Sequence, residues 1–168
     1  MSSSLRELLN LKGITPDSYE MRSTTLFDTV SLLAVAETPL FIGLTGRAGL
    51  KVNTNIEQPN SLPDPDNFAI TGISVLLGAN AAAADVAKIL DTSIIRLDLA
   101  GRTIFEGPLS TVAFQGSGTV GLREIYDLEY AQLAKPGARI TGFILTTVAA
   151  AAAVSVQVVL HGVRITKR

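Results

Sequence analysis

The chain of 168 residues has no cysteine, no tryptophan, a single histidine and only 5% aromatic residues. Without cysteine there are no disulfides, no thiolate metal sites and no thiol nucleophile. One histidine cannot build a multi-histidine metal centre. Neither the serine-hydrolase elbow G-x-S-x-G nor the phosphate loop G-x-x-x-x-G-K-[ST] occurs. The residues therefore read as a protein without catalysis, cofactor or metal. Charge is also short: Asp, Glu, Lys and Arg make up 17% of the chain, against about 25% in an average soluble domain. The net charge of -1 supplies no overall field toward nucleic acid or an anionic membrane. Hydrophobic residues reach 47%. A small domain so poor in charge exposes neutral, apolar surface, and such surface marks contact with other proteins. The length predicts one domain, and the composition a subunit of something larger.

What is present starts with "SSLRELLNLKGITP", where Ser4 and Glu7 have capping-box spacing and Leu5, Leu8 and Leu9 share a helical stripe. Gly13 and Pro16 stop that helix. Alone it is too short to be stable, so Leu5, Leu8 and Leu9 are the candidate interface by which it docks on its own domain, a partner or a membrane surface. Residues 1–23 are expected to form an N-terminal arm with a short helix, and 24–168 a single domain.

Strand patterns are expected at about 24–35, 39–44, 68–78, 94–99, 102–108, 110–125, 138–148 and 154–166. Phe68 and Ile70 have one parity and Ile73, Val75 and Leu77 the other, which places a one-residue bulge near Gly72. The same argument places a glycine bulge at Gly162, between Leu160 and Val163. "NAAAADVAKILDTS" predicts a short connecting helix with Val86, Ala87 and Leu90 on one side. Ala100-Gly101 predicts a tight hairpin that sets Leu97 opposite Ile104 and Arg96 opposite Phe105. The stretch from Asn53 to Asn67 reads as a long ordered loop or a linker, with Asp64 and Asp66 as solvated turn residues and not calcium ligands.

Several suggestive features carry little weight. Gly116, Gly118 and Gly121 spell G-x-G-x-x-G, but no acidic residue follows Glu129, and the chain around the motif reads as strands and not as a crossover unit. Ile140–Leu160 is free of charge and long enough to cross a bilayer, yet Val154, Val156, Val158 and Leu160 alternate as a strand does, so two strands joined through the alanine run are expected. Glu124 and Asp127 could face one another on a helical turn, as solvated decoration. His161 sits on the polar parity of its strand, as a surface or satisfied histidine. Arg139, Arg164, Lys167 and Arg168 give the C-terminal end a weak basic character suited to phosphate, lipid headgroups or an acidic partner.

Eight strands with one tight hairpin, between the fourth and fifth, fit an all-β single jelly roll. Its two antiparallel sheets pack together with short helical connections, and its E and F strands are joined by a short turn. A meander barrel would show several such hairpins. "NTNIEQPNSLPDPDNFAITGISVLL" and "IIRLDLAGRTIFEGPL" resemble the small single-jelly-roll major capsid proteins of tailless, membrane-containing icosahedral double-stranded DNA phages of the Thermus phage type. The resemblance covers roughly residues 24 to 110. It implies a capsid subunit located in the virion and made in the host cytoplasm. It also implies homo-oligomers (a dimer or higher), pairing with a second, larger capsid protein, a lipid membrane beneath the shell, and no enzymatic activity, small-molecule substrate or specific nucleic acid. The alternative is a non-catalytic β-sandwich binding module, for example for carbohydrate, suggested by long loops at 53–67 and 110–121. Against it stands the lack of tryptophan. A cupin-like enzyme needs a metal cluster that one histidine cannot supply.

Overall fold

Residues of period-two alternation pair into ladders, and among the described residues eight strands do so in six antiparallel ladders. The computed structural model describes residues 3–14, 18–62, 66–78, 81–113 and 125–167. The strands are β1 (Tyr19–Leu32), β2 (Ala36–Leu40), β3 (Asn67–Leu77), β4 (Ser93–Leu99), β5 (Arg102–Pro108), β6 (Tyr126–Ala134), β7 (Ile140–Thr146) and β8 (Val154–Lys167). Among the described residues four helices accompany them: α1 (Ser3–Leu11) ahead of β1, and α2 (Gly43–Gly46), α3 (Ala83–Thr92) and α4 (Leu109–Val112) between strands. The strands form two four-stranded sheets in the orders β1-β8-β3-β6 and β2-β7-β4-β5, with every ladder antiparallel. Lettered B to I, these are the B-I-D-G and C-H-E-F sheets of a jelly roll.

The core lies between the sheets. Leu26, Val30 and Leu32 of β1, Val154, Val156, Val158 and Leu160 of β8, and Phe68, Ile70, Ile73 and Val75 of β3 face Leu40, Ile95, Leu97, Ile140 and Ile144 of the other sheet. Each buried aliphatic side chain contributes about 1.5–3 kcal/mol of transfer free energy. One open flank between the sheets is bridged by the edge-to-face contact of Phe105 and Tyr126, with ring centroids 5.1 Å apart. The charge-free run Ile140–Leu160 supplies β7, the first half of β8 and the connection between them. Among the described residues no helix is long and apolar enough to cross a membrane.

The bulge in β3 is where the parity break placed it. Ile70 pairs with Gly162 and Gly72 with His161, so Thr71 is the extra residue, and Ile70 and Ile73 both reach the core. The bulge expected in β8 is absent. β8 pairs with β1 in one unbroken register from Tyr19↔Lys167 to Leu32↔Val154. Its parity changes because the far end of the sheet is covered on its outer side. Ile165 packs there with Leu9, Ile14, Ala69 and Ala131, and Val163 packs against that cluster. Gly162 has a different reason: a Cβ on it would lie 2.2 Å from the Ala69 carbonyl oxygen, where the bulged strand leans in.

Several boundaries and one register also differ from expectation. β2 ends at Leu40, because Phe41 takes φ 61° and the chain turns into α2. α4 occupies the start of the strand expected at 110–125, and the sixth strand is Tyr126–Ala134, a segment whose mixed pattern favours neither period. The hairpin turns at Ala100-Gly101 with φ of 50° and 79°, as a type I′ turn requires. Beyond Thr103, Ile104 is an extra residue, so Leu97 faces Phe105 and Arg96 faces Glu106. β1 begins ahead of the expected boundary at residue 24, since Tyr19 already pairs with Lys167.

Candidate functional site

α1 ends in a Schellman motif. Ile14 N–H donates to the Leu9 carbonyl at 2.9 Å and Gly13 N–H to the Asn10 carbonyl at 3.1 Å, with Gly13 at φ 67°. This closure brings Leu9 and Ile14, 3% and 7% exposed, onto Ala69, Ala131 and Ile165. Of the candidate interface Leu5, Leu8 and Leu9, Leu9 therefore docks on the chain's own sheet. The side chains of Leu5 and Leu8 lie outside the described residues. So do Gly116, Gly118 and Gly121, Glu124, Asp64 and Arg168. Asp127, expected on a helical turn with Glu124, is on β6.

The strongest polar constellation escaped sequence reasoning. Asp28 is fully buried on β1, on the same face as Leu26, Val30 and Leu32. It accepts hydrogen bonds from Phe41 N–H at 2.6 Å and from Arg47 Nε and Nη2 at 2.8 and 2.5 Å. Arg47 also donates to the Pro39 carbonyl at 3.0 Å. This ion pair ties β1 to the end of β2 and closes the flank opposite Phe105 and Tyr126. A signal existed in the sequence: Asp28 occupies an apolar parity.

Asp66, expected as a solvated turn residue, is instead 5% exposed and ion-paired with Arg164 of β8. The Thr166 hydroxyl is the largest influence and holds the Asp66 carboxyl below the usual carboxylate range; burial opposes this and the Arg164 guanidinium reinforces it. Arg164, half-exposed on β8, is thereby engaged in an ion pair within the chain. The pair stands at the rim of a cavity of about 470 Å³ with Leu26, Leu62 and Phe68 on its apolar side and Thr24, Asn55, Gln58 and Ser61 among its polar walls. Phe68 is 4% exposed, so its ring offers no stacking platform.

His161 is partly buried, with Nε2 2.7 Å from Ser74 Oγ. Ser74 is itself buried, so the pair is a satisfied contact under the surface. Among the described residues no group of three or more His, Cys, Asp or Glu is placed to hold a metal ion.

A different kind of site lies at one end of the barrel. The β1–β2 and β7–β8 connections meet there, with Ala150 N–H donating to the Leu33 carbonyl at 2.9 Å. Buried Asp85 of α3 accepts from Ala151 and Ala152 N–H at 2.9 and 3.2 Å, which pins the alanine run against the α3 connection. Residues 33–36, 81–84 and 147–153 carry no charge. Leu33, Val35 and Val148 are 47%, 62% and 43% exposed, surrounded by exposed alanines 34, 36, 82–84, 149 and 151–153. No protein-family model and no curated protein matches the chain.

Proposed function

We propose that the protein is a structural shell subunit: a major capsid protein whose jelly roll assembles, as a homo-oligomer and with a second, larger capsid protein, into an icosahedral shell over an internal membrane. The observation that carries this reading is the charge-free apolar end of the barrel. Contiguous apolar surface built from three connections is unfavourable in water and is covered in proteins that assemble. The resemblance of the 53–77 and 94–109 phrases to single-jelly-roll capsid proteins points the same way, as does the shortage of charge over the whole chain.

The test is assembly. Light scattering over a concentration series, followed by electron microscopy, should give oligomers and ordered arrays, alone or with shell components of the source. Val35→Glu with Val148→Glu should suppress them while leaving the far-UV circular dichroism unchanged. A protein that never exceeds a dimer under any shell-forming condition, or whose assemblies ignore both glutamates, refutes the reading.

The second reading, a non-catalytic binding module, draws on the polar-walled cavity beside Asp66 and Arg164. Micromolar binding on a glycan array, lost on Gln58→Ala and Asn55→Ala, would favour it over the shell.

A further inference from the structure

β1 is an edge of the B-I-D-G sheet, and the chain covers that edge only along half its length. Thr29 N–H donates to the Asn53 carbonyl at 2.7 Å and Asn55 N–H to the Phe27 carbonyl at 3.3 Å. The Asn55 side chain accepts from Phe27 N–H and donates to the Thr25 carbonyl, each at 2.8 Å. Thr25, Phe27 and Thr29 therefore aim their backbone groups away from β8. Alternation gives Tyr19, Met21 and Ser23 the same outward direction, and no strand among the described residues lies beside them. Exposed edges are ordinarily blunted by proline, a bulge or an inward charge. β1 contains no proline, keeps one register with β8 throughout, and has its buried charge, Asp28, in the half that the chain already covers.

We propose that Tyr19–Ser23 pairs with the same segment of a second copy, antiparallel about a two-fold axis through Met21. Such an interface is isologous, so the segment must complement itself. It does so in this register. Met21 lies opposite the second copy's Met21, Tyr19 opposite its Ser23, and Glu20 opposite its Arg22. All three outward-facing residues then sit at hydrogen-bonded positions, which gives about six N–H···O bonds. Both charges are accessible for the pairing: Arg22 and Glu20 have side chains 76% and 45% exposed, and they already touch within the chain.

Neighbouring registers fail. An axis at Glu20 or Arg22 opposes that charge to itself across the strand pair. An axis at Ser23 places the pairing over Thr25, whose carbonyl Asn55 already occupies. On the outer face, Tyr19 and Met21 pack against the cluster of Leu9, Ile14 and Ile165. The two-fold joins two such clusters under their helices and makes one eight-stranded sheet. The pairing names one contact of the homo-oligomer and does not rest on the shell reading.

The experiment is sedimentation velocity on the full chain from low to high micromolar concentration. A dimer is expected. Glu20→Arg should weaken it about tenfold, because two cross-strand attractions become repulsions, and combining it with Arg22→Glu should restore the parent affinity. Met21→Pro removes only an outward N–H, so it should give a monomer with the parent's circular dichroism. If that variant misfolds, the charge reversal and its rescue decide. A chain monomeric at every concentration, or a dimer indifferent to the charge reversal, overturns the pairing. Dimers without larger assemblies refute the shell alone; assemblies that ignore Glu20→Arg refute the pairing alone.

Discussion

Replacing Arg47 by methionine isolates what the buried ion pair does for the fold. Asp28 has no exposed surface, and the Arg47 side chain is 13% exposed. In Arg47→Met the carboxylate loses both guanidinium hydrogen bonds and keeps only the one from Phe41 N–H. Leaving a buried charge without its partner costs about 3–5 kcal/mol. A domain is stable by about 5–15 kcal/mol, so this is a large share of the total. At about 2–4 °C per kcal/mol for a chain of this size, the melting temperature should fall by roughly 6–20 °C. Adding Asp28→Asn should recover most of that loss, because asparagine keeps an acceptor for Phe41 N–H and removes the stranded charge. Urea titrations of the parent, both single variants and the double variant give the coupling free energy directly. A loss below about 1 kcal/mol in Arg47→Met, the range of an exposed pair, would refute the claim that this contact is dry and closes the flank.

Two further perturbations follow from the same geometry. Gly162→Ala places a methyl 2.2 Å from the Ala69 carbonyl oxygen and 2.9 Å from Phe68 Cζ. Its backbone neighbour is fixed in the β3–β8 ladder, so a loss of about 3 kcal/mol or more in urea unfolding is expected; a loss under about 1 kcal/mol would contradict the close approach. Asp66, whose carboxyl titrates below its ordinary value in the fold, adds stability that is complete above the unfolded value of about 3.9. That contribution disappears as pH falls through the lower folded value, so thermal stability should drop in acid and Asp66→Asn should drop less steeply. Parallel curves for parent and variant between about pH 5 and 3 would show that Asp66 carries none of this dependence.

Much of the fold was legible because alternation is a local signal. The broken parity from Phe68 to Leu77 located the bulge, and Ala100-Gly101 located the hairpin. The same logic misread Gly162, since a change of buried parity has two causes: an inserted residue, or a second apolar layer on the opposite face. Only the docking of α1 separates them. The hairpin register slipped by one at Ile104 for a related reason, because a turn fixes the first pairs and not those beyond a bulge. Sequence placed Leu9 among the docking residues of the helix but not its destination, the cluster around Ile165.

By itself the sequence determined the class of fold and the scarcity of charge, because strand period, turn residues and composition are written along the chain. The tertiary structure alone decided that Asp28 meets Arg47, that Asp66 meets Arg164, and that three uncharged connections converge on one end of the barrel. Those partners are separated by connections whose paths no local pattern dictates. They meet only after two sheets close over a common core and choose which loops become neighbours.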